Sequence, residues 1–175
     1  DALSDVLGAV RLTGAVFLEM EMRENWSYLT APARAIADVI MPEADHVIPY
    51  HLLLSGDCYA RLPEGEPVKL QAGEVVMFPA GDRHVLATGN RSGLQMRPVE
   101  ISGESLRGML NRGQVTPLRE GAAGDATRIV CGFLSCDRRM AEPILQCLPR
   151  LLRVNLRDSG TAAWVQSSIQ FSIAQ

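Results

Sequence analysis

The sequence predicts a mostly-β chain with helices, arranged as an antiparallel sandwich or barrel. Three observations carry this. Five or six short apolar segments alternate with turn signals within about 70 residues. The stretch GEVVMFPAGDRH, from Gly73 to His84, sets a four-residue apolar run between punctuating glycines and a proline. Further on, Thr127 to Leu134 is a second strongly apolar extended run.

The elements follow in order. Asp1 to Gly8 reads as a short helix, with Leu3, Val6 and Leu7 on one face. Val10 to Met22 favours an extended segment, and Trp26 and Tyr28 lie beyond it, before the turn-prone Ala31-Pro32. Ile36 to Met41 reads as a short strand ended by Pro42. Pro49 to Leu54 is apolar except for His51, Ser55-Gly56-Asp57 is a hairpin signal, and Cys58 to Leu62 returns. Pro63 to Pro67 is a turn, and Val68 to Leu70 leads to Gly73, which permits a tight turn. Val75 to Phe78 suits a buried strand, Pro79 stops it, Gly81 turns, and His84 re-enters a strand.

From Gly89 to Gly124 the periodicity fades into a long loop, with a helical turn or two in Ser102 to Asn111. Met140, Ile144 and Leu148 hold helical spacing despite Pro143, and Val154 to Leu156 is extended. Thr161 to Ala174 is amphipathic, with Trp164, Val165, Ile169 and Ile173 on one side. It runs to Gln175 without a stop signal, as a helix leading into a longer parent would.

Size and composition exclude several classes. The chain has 175 residues, 47% hydrophobic and 21% charged, enough for one domain with a helical appendage. The net charge of −3 supplies no basic field for nucleic acid. No run approaches the roughly 20 apolar residues of a membrane span. The acidic start DALSDVLGAV does not read as a signal peptide. Cys58, Cys131, Cys136 and Cys147 are expected as reduced thiols in a bacterial-type cytoplasm. Cys131 and Cys136, five residues apart on one strand, face opposite ways.

The Gly73 to His84 pattern resembles the second motif of the cupin family, small antiparallel β-barrels (double-stranded β-helices) that enclose a metal or small ligand. Cupins usually carry an asparagine four residues after the histidine; here Thr88 stands there. The first cupin motif, two histidines one residue apart followed by a glutamate, is missing, and Pro49 occupies the glutamate position. With DALSDVLGAVRLTGAVF, YHLLLSGDCYARL, RIVCGFLSCD and LPRLL in order, nearly the whole chain resembles the cupin-type ligand-binding region of AraC-type bacterial transcription regulators. That resemblance implies an effector-sensing domain over residues 1–160. Residues 161–175 would then begin a helical linker towards a helix-turn-helix domain that this chain does not include. It also implies a homodimer that contacts DNA only through that further domain.

Candidate site residues follow. The resemblance marks His84 as a metal or effector ligand, and imidazole suits both tasks. If Ser55-Gly56 forms a two-residue hairpin, Leu53 faces Cys58, and His51 shares a sheet face with Cys58. His51, Cys58 and His84 would then converge as a set suited to zinc or another transition metal. Trp26, His51, Phe78 and His84 are the candidate effector pocket, with Tyr28 and Met77 as further lining; the bland alternative is ordinary core. His46, after Glu43 and Asp45, reads as a loop histidine. Thiol-based redox sensing is a separate reading, since Arg61 and Arg128 lie near cysteines in sequence. Arg138, Arg139, Arg150, Arg153 and Arg157 read as a solvated face or a contact to the further domain. No Ser-His-Asp set or phosphate-binding glycine loop is present. The expectation is a non-enzymatic sensor. Its rivals are a metal-dependent cupin enzyme, which the missing first motif disfavours, and a dimerisation module whose interior is filled by Phe78 and Met77.

Overall fold

The computed structural model describes residues 13–23, 25–110, 118–121 and 123–157. The expected helices at Asp1 to Gly8 and Thr161 to Ala174 lie outside them, as do the residues on which the 160/161 boundary rests. Among the described residues there are eleven strands: β1 (Thr13–Met22), β2 (Ser27–Thr30), β3 (His46–Ser55), β4 (Asp57–Arg61), β5 (Val68–Gln71), β6 (Glu74–Met77), β7 (His84–Thr88), β8 (Val99–Ile101), β9 (Leu118–Glu120), β10 (Thr127–Cys136) and β11 (Leu152–Asn155). Four helices accompany them: α1 (Ala33–Ile40), α2 (Arg91–Gln95), α3 (Gly103–Leu110) and α4 (Arg138–Leu145).

The strands form two sheets, in the orders β11-β6-β3-β10-β1-β9 and β5-β4-β7-β2-β8. The expected antiparallel barrel is thus a cupin-like β-sandwich rather than a closed cylinder. Between β3 and β7 the chain crosses from one layer to the other three times. β3 lies in the first sheet, β4 and β5 in the second, β6 in the first and β7 in the second. Each of these three crossings is made at a glycine with positive φ: Gly56 (77°), Gly73 (86°) and Gly81 (72°). A Cβ on Gly81 would sit 2.9 Å from Ala33 Cβ and 3.1 Å from the Val47 carbonyl oxygen. That corner therefore needs glycine for both its backbone and its space.

The layer change at Gly56 corrects the hairpin reading. β3 and β4 do not pair. Leu53 stands opposite Ile129 of β10, and Cys58 stands opposite Leu70 of β5 and Thr88 of β7. The turn chemistry was read correctly, but it serves a corner between sheets, so the register argument that set His51 beside Cys58 fails.

Two further expectations are corrected. Ile36 to Ile40 belongs to helix α1, with Met41 as its C-cap, and is not a strand. Ala33, Ile36 and Ile40 recur at helical spacing and are the buried face, with Ile36 fully buried. Gly89 to Gly124 is not one long loop. It holds α2, β8, α3 and β9, and Asn90 caps α2 by accepting from the Gly93 N–H. The helical turns expected in Ser102 to Asn111 are α3. The strand at Thr127 is β10, and the helix around Pro143 is α4, capped by Asp137.

The main core lies between the sheets. Leu18, Met20 and Met22 of β1, Leu53 of β3 and Ile129, Cys131 and Phe133 of β10 meet Leu70, Leu86, Tyr28 and Trp26 from the other sheet. Cys136 packs in a separate cluster with Ile48 and Ala141, so Cys131 and Cys136 do face opposite ways. Met77 joins that outer cluster, away from the sandwich interior. Among the described residues no helix is long and apolar enough to cross a membrane.

Candidate effector site at a buried histidine pair

His51 sits mid-strand in β3, between Val76 of β6 and Cys131 of β10. His84 opens β7 in the opposite sheet, beside Thr30 of β2. The two side chains meet across the sandwich, Nε2 to Nε2 at 2.7 Å. Both are buried, His84 completely. Phe78, at the end of the apolar run, lies flat on the His84 ring, with centroids 3.8 Å apart and planes 10° apart. It presents its edge towards His51 at 6.3 Å. The corner at Gly81 returns the chain so that Phe78 and His84 stack.

One carbonyl fixes the protons of the whole group. His84 Nδ1 lies 2.9 Å from the Asp82 carbonyl oxygen, which can only accept, so Nδ1 carries the hydrogen. In a neutral ring His84 Nε2 is then an acceptor, and the hydrogen in the 2.7 Å contact belongs to His51 Nε2. His51 Nδ1 must in turn accept, and the Cys131 thiol at 3.0 Å donates to it. The chain runs one way: Cys131 to His51 to His84 to Asp82. Met20 Sδ lies 3.6 Å from the same thiol, a weaker acceptor than imidazole.

Electrostatics keep the group uncharged. Burial pushes the His51 pKa well below its usual value, and the neighbouring His84 pushes it the same way. Burial lowers His84 to about 4, against weaker support for the charged form from Asp82. Burial also raises the Cys131 thiol far above its ordinary range and the Cys58 thiol to about 12. Buried thiols held protonated are poor nucleophiles, so this interior does not favour redox sensing at Cys58 or Cys131.

Beside the chain lies a cavity of about 40 Å³. His51, Cys131 and Thr30 are polar residues in its lining, and Leu18, Met20, Leu86 and Phe133 are apolar ones. Leu106 of α3 and Ile101 of β8 also border it. Trp26 is buried beside Tyr28, with ring centroids 6.2 Å apart, and its indole N–H meets no acceptor among the described residues. Tyr28 lines the cavity. Of the expected pocket residues, His51 therefore borders the cavity. His84 and Phe78 reach it only through His51, and Trp26, two residues before the lining residue Tyr28, does not line it. Met77 faces elsewhere.

The metal set is not assembled in this arrangement. Cys58 pairs with Thr88, four residues along β7 from His84, about 13 Å at the usual strand rise. The thiol beside His51 is Cys131, and it meets the ring nitrogen opposite to the one facing His84. Two Nε2 atoms on one tetrahedral zinc stand about 3.3 Å apart, wider than the observed contact. Among the described residues no three His, Cys, Asp or Glu side chains converge as metal ligands do. The residues present do not fit a cupin metal centre. His46 is held apart from this group, its Nε2 donating to the Pro79 carbonyl at 2.7 Å.

Sequence reasoning found both histidines but not their link to Cys131. That link depends on the pairing of β3 with β10, whose partners lie 80 residues apart. No local signal reports it.

Comparison with known proteins places the chain. Residues 1–175 match the family model described as Cupin. Over 174 residues the chain is 20% identical to the HTH-type transcriptional regulator AlkR of Acinetobacter baylyi, covering 98% of this chain and 51% of that protein. The chain thus spans about half the length of this curated relative. Among solved structures, an apo ToxT variant from Vibrio cholerae matches at TM-score 0.46 with 10% identity, covering 91% of this chain and 47% of that one. Fatty-acid-bound ToxT from the same species matches at TM-score 0.41 with 8% identity, covering 94% and 46%.

Proposed function

The chain belongs to the cupin family and is related to the sensor domains of AraC-type regulators, and we propose that it senses a small, largely apolar effector between its two sheets. The observation that carries this reading is the cavity itself. It is apolar over most of its wall and ends on a neutral imidazole and thiol. An uncharged polar end suits a hydroxyl or carbonyl group, which could exchange hydrogen bonds with the Cys131–His51 pair; a buried charge there would go unpaired. The Trp26 N–H, without an acceptor among the described residues, is a further donor in the same core.

At about 40 Å³ the cavity holds at most a water or two, whereas effector pockets measure roughly 300 Å³ or more. Binding therefore requires the wall to open. The wall contributed by Ile101 and Leu106 is the candidate to move, because it belongs to the short strand β8 and the two-turn helix α3 rather than to the long strands. An effector that binds only the opened arrangement shifts the population towards it. In a longer parent, that shift would be passed to an attached helix-turn-helix domain, as the likeness to a transcriptional regulator suggests. The proposed role is binding rather than catalysis, because the residues lining the cavity include no carboxylate, lysine or arginine.

Thermal denaturation in the presence of normal alcohols of six to ten carbons tests this. A rise in Tm that is saturable in the native protein and absent in Leu106→Trp, which fills the cavity, supports an interior site. Equal shifts in both proteins would place the alcohols elsewhere and overturn the reading.

A further inference from the structure

A second, larger cavity lies on the outside of the Gly81 corner. It measures about 420 Å³ and is bordered by the first turn of α1, the start of β3, residues Ala80 to Arg83 and the loop before β11. Four arginines line it: Arg34, Arg83, Arg138 and Arg150. The lining carboxylates are Asp45 and Asp82. Both are engaged. Asp82 holds Arg150 through two bonds of 2.6 and 3.0 Å, and Asp45 accepts from the Arg138 N–H at 2.9 Å, at the start of α4. The Arg138 guanidinium is shared with Glu142 at 3.4 Å. Arg34 and Arg83 have no carboxylate within ion-pair distance among the described residues. The lining histidine, His46, is already committed to Pro79.

We propose that this cavity binds a small organic oxyanion, a carboxylate or phosphate compound, between Arg34 and Arg83. Two guanidinium groups from different elements, set around a concavity and left without acid partners, match the paired oxygens of such a group. The volume exceeds what a bare inorganic ion needs, so the ligand is a small molecule rather than a counter-ion. A concave cavity also suits a small molecule better than the flat face of another protein domain. This site is independent of the interior cavity: its lining residues include none of those around His51 and Cys131. It nevertheless shares Asp82 with the buried chain, because the Asp82 carboxylate holds Arg150 while its carbonyl accepts from His84.

The test is an NMR titration of the 175-residue chain with succinate and, separately, with inorganic phosphate, at constant ionic strength. Saturable amide shifts confined to residues near Arg34, His46 and Arg83 are expected for at least one probe, and the tighter probe identifies the preferred headgroup. Arg34→Ala and Arg83→Ala should each weaken binding about tenfold, the usual scale of one lost charge-assisted contact. Arg97→Ala, an exposed arginine outside the cavity, should leave it unchanged. The proposal is overturned if neither probe gives saturable shifts, if the Arg34 and Arg83 variants bind like the parent, or if Arg97→Ala weakens binding equally. All three side chains are exposed, so the variants keep the fold. An unchanged alcohol-induced Tm rise in Arg34→Ala would further separate this site from the interior one.

Discussion

His51 and His84, from opposite sheets, touch through their Nε2 atoms at 2.7 Å, with the hydrogen on His51. The contact is a polar cross-link inside an otherwise apolar core, and it makes each ring dependent on the other. Removing one partner leaves a buried polar atom unsatisfied, whereas removing both leaves none at that point.

Truncation at His84 should therefore be costly. His84→Ala orphans the His51 Nε2–H, removes the ring stacked on Phe78 and opens a cavity, with an expected loss of about 3–4 kcal/mol in urea unfolding. The paired replacement His51→Leu with His84→Leu should cost less than the sum of the two single replacements. A double-mutant cycle measures this, and additive losses would show that the rings do not act as a pair.

Stability should depend on pH through the same rings. Both folded-state pKa values lie below that of an unfolded histidine, near 6.5. The unfolded state thus binds protons that the folded state refuses. The contribution is fully present above pH 6.5 and is lost as pH falls from 6.5 towards 4. For His84 alone this amounts to roughly 3 kcal/mol across that window. Urea unfolding from pH 7.5 to 4 measures the slope, and the double leucine variant should be flatter over that range.

The corner that delivers His84 should tolerate no side chain. Gly81→Ala places a Cβ against Ala33 and the Val47 carbonyl at a φ of 72°. The expected cost is about 1–3 kcal/mol. Gly124→Ala is the comparison, because it has a similar φ but nothing within 4 Å of the added carbon. It should be affected less.

How much of this was readable from the sequence follows from the range of each interaction. Gly73, Phe78, Pro79, Gly81 and His84 lie within twelve residues, and their spacing announced both the corner and the inward histidine. The Gly56 turn was equally visible, but whether a turn closes a hairpin or changes layer depends on the strands that pair on each side. Here those are β6 and β10 for β3 and β5 and β7 for β4, none of them joined directly by the turn. Ile36 to Met41 holds only two buried residues of the helical period, Ile36 and Ile40, and its β-branched Ile36, Val39 and Ile40 locally favour a strand; Ala33, which completes the helical face, lies outside that stretch. Between Gly89 and Gly124 the elements are three to eight residues long, too short for either period to repeat.

Thiol reactivity should separate the four cysteines. Cys58, Cys131 and Cys136 are buried, and Cys147 is exposed. A disulfide reagent should modify one thiol quickly in the folded protein, and Cys147→Ser should abolish that fast phase. A second fast thiol in that variant would reopen redox sensing in the core.

Zinc or nickel added in modest excess should leave Tm unchanged and bind at well below one equivalent to the purified chain. Stoichiometric metal that is lost in His84→Ala would restore the metal reading of the histidine pair.

The hydrogen bonds from Cys131 through His51 and His84 to Asp82 form a neutral, one-directional chain. Long-range ¹H–¹⁵N correlation of the histidine rings at pH 7 tests it directly. The predicted result is two neutral rings, His84 with its hydrogen on Nδ1 and His51 with its hydrogen on Nε2. A charged imidazolium at either position, or the opposite tautomer at His84, would contradict it.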